Sequence, residues 1–202
     1  MPRILIADDE KEIVRLLRMY LESDDITVLE ASDGQQAVDI ARENDIDLAL
    51  VDIMMPKMDG AEATAALHEK LPGAKVIILT TFGSSDGIAL AIKSGADGAL
   101  MKTADDATLI STIRSVAGGK TVISPEIRRL LAEDPPIPVL TARQTEVLRS
   151  MMRGLTNRDI AKQLGIRQDG VNEHVAAILA KIGAANRTEA VAIALRKQLI
   201  RI

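Results

Sequence analysis

Leu48-Ala49-Leu50-Val51-Asp52 is a four-residue aliphatic run closed by a carboxylate, and the surrounding chain repeats the pattern. Continuous apolar residues of this length fit a strand buried on both faces, as in a parallel sheet covered by helices. Ile4 to Ala7 runs into Asp8 and Asp9, Val76 to Leu79 into Thr80, and the shorter Ala99 to Met101 into Lys102. A weaker strand fits Ile26 to Glu30. Between these runs, Ile13, Leu16, Leu17 and Tyr20 recur at helical spacing, as do Ala37, Val38 and Ala41. The same rhythm holds for Ala63, Ala66 and Leu67, for Ala89, Ile92 and Lys93, and for Leu109, Ile110 and Ile113. Such alternation predicts an α/β fold, a five-stranded doubly wound parallel sheet.

The polar residues that close the runs decide what such a sheet can do. Ligands of an open α/β sheet bind beyond the carboxyl ends of its strands, where the strand order reverses. Asp8, Asp9, Asp52, Thr80 and Lys102 therefore aim three carboxylates, a hydroxyl and an ammonium at one crevice. Close carboxylates repel and need a cation to stay ionised together. A hard divalent ion such as Mg2+ suits an all-oxygen set and keeps waters that a phosphoryl group can replace. Taken singly, an Asp is more often a helix cap or turn former than a ligand, so the constellation is the specific signal.

Composition narrows the alternatives. The chain has 202 residues, 47% apolar and 27% charged, which is the profile of a globular protein. Without cysteine there is no disulfide, thiol nucleophile or thiolate metal site, and two histidines make no zinc cage. No apolar run reaches the roughly 18 residues of a membrane helix, and the start reads as no secretory signal, so a cytoplasmic protein is expected. Residues 1–138 carry 14 Lys/Arg against 24 Asp/Glu, and residues 139–202 carry 11 against 5, giving −10 and +6. The change falls at Pro135, Pro136 and Pro138, so two domains are expected, the second a polyanion binder. An ordinary domain with a basic helical face would give the same imbalance.

Residues 2 to 120 closely resemble a bacterial two-component receiver domain. The resemblance rests on Asp8-Asp9, on Asp52-Ile53-Met54-Met55-Pro56 followed by Asp59-Gly60, on Thr80 with Thr81, and on Lys102. It implies that Asp52 accepts a phosphoryl group. It further implies that Asp9, Asp52 and the backbone carbonyl of Met54 ligate Mg2+, with Asp8 acting mainly through a coordinated water. Thr80 and Lys102 would hold the phosphoryl oxygens. The chemistry agrees, since carboxylates form acyl phosphates and phosphoryl transfer is governed by positioning and charge. Met54 would place a bulky apolar chain at the mouth of the site and hinder the water that hydrolyses the acyl phosphate.

Two departures stand out. Family members usually have Tyr or Phe three residues before the lysine, where this chain has Ala99. Output must then travel by backbone and helix shifts around Thr80, Thr81 and Phe82. Where many receivers have proline after the lysine, this chain has Thr103, and the cost of a cis bond without proline, about 2.5 to 4 kcal/mol, favours trans.

Gly118-Gly119 ends the last receiver helix, and residues 121–138 read as a linker in which Ser124-Pro125-Glu126 can start a short helix. Residues 139–202 read as a small all-α domain of four helices. Thr141-Ala142-Arg143-Gln144 is a capping box, with variants at Thr156/Asp159 and Asn186/Glu189. Gly165 marks the tight turn of a helix-turn-helix.

This part resembles a LuxR-type DNA-binding domain. The matching residues are Leu140-Thr141, Arg143, Glu146-Val147-Leu148, Gly154-Leu155-Thr156-Asn157-Arg158-Asp159-Ile160-Ala161 and Leu164-Gly165-Ile166. Val171, His174, Ile178, Lys181 and Asn186 through Val191 complete them. Together the halves resemble a NarL/FixJ-type response regulator. The family usually shows Ser after Ile166 and then Thr-Val-Lys, where this chain has Arg167, Gly170, Val171 and Asn172, with Asp169 and Glu173 alongside. The DNA-binding candidates are Arg158, Lys162, Arg167, Gln168, Asn172, Glu173, His174, Lys181 and Arg187. Asn can pair bidentately with adenine, and Glu can accept from cytosine.

The expected protein is a transcriptional regulator, phosphorylated by a sensor histidine kinase and binding double-stranded DNA as a homodimer. The last helix, Thr188 to Leu199, offers a dimer face or packs on its own domain. It is no enzyme beyond assisting its own phosphorylation and dephosphorylation. One alternative is a receiver-containing interaction protein with weakened or lost operator binding. Another is a small phosphohydrolase using Asp52 as nucleophile.

Overall fold

The computed structural model describes residues 2–21, 26–81, 85–197 and 199–200. Phe82 lies outside them. Two compact units divide the chain, Met1–Pro135 and Pro136–Ile202.

In the first unit, β1 (Arg3–Ala7), β2 (Thr27–Ala31), β3 (Leu48–Asp52), β4 (Lys75–Thr80), β5 (Gly98–Met101) and β6 (Val122–Ile123) form one parallel sheet. Among the described residues its order is β2-β1-β3-β4-β5-β6. The helices are α1 (Lys11–Leu21), α2 (Gly34–Glu43), α3 (Gly60–Lys70), α4 (Ser85–Lys93), α5 (Asp106–Ala117) and α6 (Pro125–Glu133). Alternation along the strands sorts the core onto two faces. Ala49, Val51, Val76 and Ile78 join Ala37, Ala63, Leu67 and Ile88 of α2, α3 and α4. Leu48, Leu50, Ile77 and Leu79 join Leu17, Leu109 and Val116 of α1 and α5. This is the doubly wound sheet expected, with one strand more.

The sixth strand and α6 come from residues read as linker. Val122 N–H donates to Asp97 O at 2.9 Å and Ser124 N–H to Ala99 O at 3.0 Å, so the chain after α5 extends the sheet edge. Gly98 permits this approach, because a Cβ there would meet Val122 O at 3.2 Å and Ile77 Cγ1 at 3.1 Å. Ser124 caps α6 by accepting from Ile127 N–H, and Ile127 is fully buried in the cluster that holds Ala99. Complete burial of such a side chain contributes about 1.5 to 3 kcal/mol. Asp134, at the end of α6, accepts from the Ser85 hydroxyl at the start of α4, at 2.9 Å. Ala99 is wholly buried in the sheet beneath this cover.

The second unit packs α7 (Ala142–Met152), α8 (Asn157–Leu164), α9 (Gln168–Ile182) and α10 (Arg187–Arg196) around Val147, Leu148, Ile160, Val171, Ile178, Ala190 and Ala194. The expected start signals form: capping boxes at Thr141 with Gln144 and Thr156 with Asp159, and an Asn186 cap on Glu189 N–H. Gly165 adopts the left-handed conformation (φ 63°, ψ 35°) that ends α8 and turns the chain into α9. Ala190 and Ala194 of α10 pack into this unit's own core, leaving Leu195 exposed. No helix among the described residues is long and apolar enough to cross a membrane.

Candidate functional site

β1 and β3 are neighbours at the point where the strand order reverses, with Ala7 opposite Val51. That register brings the next residues, Asp8 and Asp52, to the same carboxyl edge. β4 and β5 add Thr80 beside Met101, and Lys102 N–H donates to Thr80 O at 2.7 Å. The Lys102 ammonium lies 2.8 Å from Asp8 Oδ2, 3.1 Å from Asp52 Oδ2 and 2.8 Å from Glu10 Oε1. Its side chain is 2% exposed. Asp8, Asp52 and Thr80 are equally withdrawn from solvent. The loop after β3 is tightly built. A Cβ on Gly60 would sit 2.3 Å from Asp52 O, which ties the start of α3 to the end of β3. Lys57 takes a left-handed conformation (φ 65°) and pairs with buried Asp33 at 2.6 Å.

Burial pushes the Asp52 carboxyl up to about 6; Lys102 attracts its charged form and Asp8 opposes it. Asp8 is raised too, first by burial, with Lys102 and the Glu10 N–H pulling the other way. Burial alone would lower the Lys102 ammonium, but its close pairing with the Asp8 and Glu10 carboxylates and the charge of Asp52 raise it. All three carboxylates ionised against one ammonium leave two negative charges uncompensated.

Asp9 is exposed, and among the described residues the acidic oxygens that approach within 4.8 Å of one another belong to Asp8, Glu10 and Asp52. Glu10 N–H donates to Asp8 Oδ1 at 2.9 Å, a local turn that brings Glu10 toward Lys102. Asp8 Oδ2 is buried without a hydrogen bond, its contact with Lys102 being an ion pair outside hydrogen-bond geometry. An under-satisfied buried oxygen, an all-oxygen set and the excess negative charge fit a hard divalent cation. Met54 follows in the loop, 45% exposed. Thr81 is exposed at a bend, and the Lys102–Thr103 bond is trans.

In the second unit, Arg158, Lys162, Arg167, Gln168, Asn172 and Glu173 are exposed, and His174 is half-buried. Lys181 and Arg187 are turned inward. Lys181 Nζ donates to Val139 O and to Gln144 Oε1, both at 2.9 Å. Arg187 donates to Leu155 O at 2.5 Å and Asn157 Oδ1 at 3.2 Å, and burial lowers its pKa. Asn157 Nδ2 in turn donates to Asn172 Oδ1 at 2.8 Å. Arg167 precedes α9 without a side-chain cap and pairs loosely with Asp169 at 3.4 Å.

Residues 4–114 match the response regulator receiver domain family, and residues 138–194 match the bacterial regulatory proteins of the luxR family. The chain belongs to the two-component response regulators. The nitrate/nitrite response regulator protein NarP of Escherichia coli strain K12 is 35% identical over 205 residues, covering 97% of this chain and 95% of NarP. The crystal structure of the response regulator ChrA, from a heme-sensing two-component system, matches with TM-score 0.57 and 35% identity over 98% of both chains. The RcsB–DNA complex matches with TM-score 0.65 at 20% identity, over 97% of this chain and 98% of that one, and shares the fold.

This response regulator therefore joins a receiver to a LuxR-type helix-turn-helix domain, the architecture of a transcriptional regulator. In the receiver, the sequence reading missed Glu10, whose only signal is an acidic residue directly after the Asp pair. In the helix-turn-helix domain, Lys181 and Arg187, two of the candidate cations for DNA phosphates, tie the starts of α7 and α8 to the C-terminal helices, since unmet backbone carbonyls attract the nearest donors.

Proposed function

We propose that Asp52 accepts a phosphoryl group from a sensor histidine kinase, and that this modification controls dimerisation and double-stranded DNA binding by the helix-turn-helix domain. The observation that carries the reading is the buried Lys102 ammonium, 3.1 Å from Asp52 Oδ2 and 2.8 Å from Asp8 Oδ2. At neutral pH an Asp52 that titrates near 6 is ionised and nucleophilic. Its oxygen attacks phosphorus in line, the new P–O bond forms, and the bond from phosphorus to the kinase histidine breaks. Lys102 offsets charge gathering on the phosphoryl oxygens, and Thr80 at the adjacent strand end supplies a hydroxyl to one of them.

Asp8, Asp52 and the Met54 carbonyl would hold Mg2+, with Glu10 or Asp9 completing the oxygen set. When bound, the ion neutralises negative charge on the site and on the transferred group. The protein turns over no external substrate; it assists only its own phosphorylation and dephosphorylation, in the cytoplasm. Exposed Arg158, Lys162, Arg167 and Gln168 supply the cationic and polar face for DNA, with Asn172, Glu173 and His174 on the recognition helix.

Incubation with acetyl phosphate and Mg2+ should add one phosphoryl mass, absent in Asp52→Asn, and should raise both dimer content and retention on DNA. Labelling that persists in Asp52→Asn refutes the assignment. A second reading, a receiver-containing interaction protein with weakened operator binding, draws on the inward Lys181 and Arg187 and the acidic Asp169 and Glu173. Failure of the phosphorylated protein to retain any duplex from a randomised library would favour it.

A further inference from the structure

Arg187, Asn157 and Asn172 form a hydrogen-bond relay whose direction is fixed by chemistry at one end. A guanidinium can only donate. Because Arg187 Nη1 donates to Asn157 at 3.2 Å, the Asn157 amide must turn its oxygen toward Arg187 and its NH2 toward Asn172. The Asn172 oxygen must then face Asn157, 2.8 Å away, which turns the Asn172 NH2 away from the relay. Arg187 is itself held by Leu155 O at 2.5 Å, so the relay starts from a fixed point on the backbone before α8. Asn172 is exposed on the first turns of α9, one residue after buried Val171, where the recognition helix of a helix-turn-helix meets base edges.

We propose that Asn172 reads DNA as a hydrogen-bond donor, and so selects guanine or thymine, whose major-groove acceptors stand without the repelling amino donor that flanks adenine N7 or that cytosine alone presents. This rests on the DNA-binding reading above. It reverses the adenine preference expected of an isolated asparagine, because the bidentate adenine contact needs the amide oxygen as well as the NH2. The relay turns that oxygen toward Asn157 and engages one of its two lone pairs. Specificity at this position is thus set by Asn157 and Arg187, neither of which need touch a base.

Selection from duplexes with a randomised core, using the full phosphorylated chain, tests the proposal. The wild type should yield a motif in which one position, flattened in Asn172→Ala, prefers G or T. Asn157→Asp keeps an acceptor for Arg187 but presents an acceptor to Asn172, whose amide must flip and show its oxygen outward. The preference at that position should move to C or A by about tenfold. Asn172→Asp, which carries only acceptors, should move it the same way and leaves the rest of the relay in place. A wild-type preference for A there, or motifs unchanged in both variants, overturns the proposal. Wild-type protein that retains no duplex would instead remove the DNA-binding reading on which it stands.

Discussion

Glu10 Oε1 lies 2.8 Å from Lys102 Nζ, so a carboxylate just beyond β1 reaches the ammonium that follows β5. Glu10 competes with any incoming phosphoryl group for that ammonium and repels its charge. Its side chain is 54% exposed, which screens the effect. Glu10→Gln should therefore speed labelling by acetyl phosphate by about twofold to fivefold at saturating Mg2+, the range of an exposed pair. Slower labelling under those conditions would mean that Glu10 assists the transfer.

Asp52 titrates near 6 in the fold and near 3.8 when unconstrained, with burial the main cause. The native state therefore takes up this proton before the unfolded chain does. Above pH 6 the buried charge costs stability, and the cost is relieved as pH falls through the window between those values. Asp8 is shifted in the same direction. Asp52→Asn should stabilise the metal-free protein by about 2 to 3 kcal/mol at neutral pH, with the advantage shrinking as pH approaches about 4. Thermal melts in chelator across that range check it; a constant difference at every pH contradicts the assignment.

Lys162 and Lys181 carry the same charge and should behave in opposite ways. Lys181→Met removes two internal hydrogen bonds and should destabilise the helix-turn-helix domain by about 1 to 2 kcal/mol while leaving the salt slope of DNA binding unchanged. Lys162→Ala should leave stability within about 0.5 kcal/mol and reduce that slope by about one unit. Denaturant titration and binding at graded salt distinguish them. A slope change in Lys181→Met would restore it to the DNA face.

Arg167 stands at the cap position of α9 without a side-chain hydrogen bond. Serine there can accept from a backbone N–H of the first turn, so Arg167→Ser should stabilise the second unit by about 1 kcal/mol. An unchanged or lower unfolding midpoint would show that the arginine supports α9 in another way.

The receiver site was readable because each of its members ends an apolar run. Asp8, Asp52, Thr80 and Lys102 needed only the rule that parallel strands share one functional edge. Glu10 escaped because its approach depends on a turn closed by its own N–H on Asp8, a contact with no periodic signature. β6 escaped for a related reason: two residues are too few to show alternation, and the prolines that follow draw attention to a joint. In the second half, capping signals located three of the four helices, since caps are local chemistry, and the turn at Gly165 marked the start of α9. The inward course of Lys181 and Arg187 was hidden because a long side chain on a helix can reach either water or a carbonyl many residues away.

The β6–α6 extension bears on how the molecule can be dissected. A fragment ending at Lys120 would strip the outermost strand from β5 and uncover the ground that Ile127 occupies, leaving an adhesive border inclined to self-association. The compact N-terminal unit runs instead to Pro135.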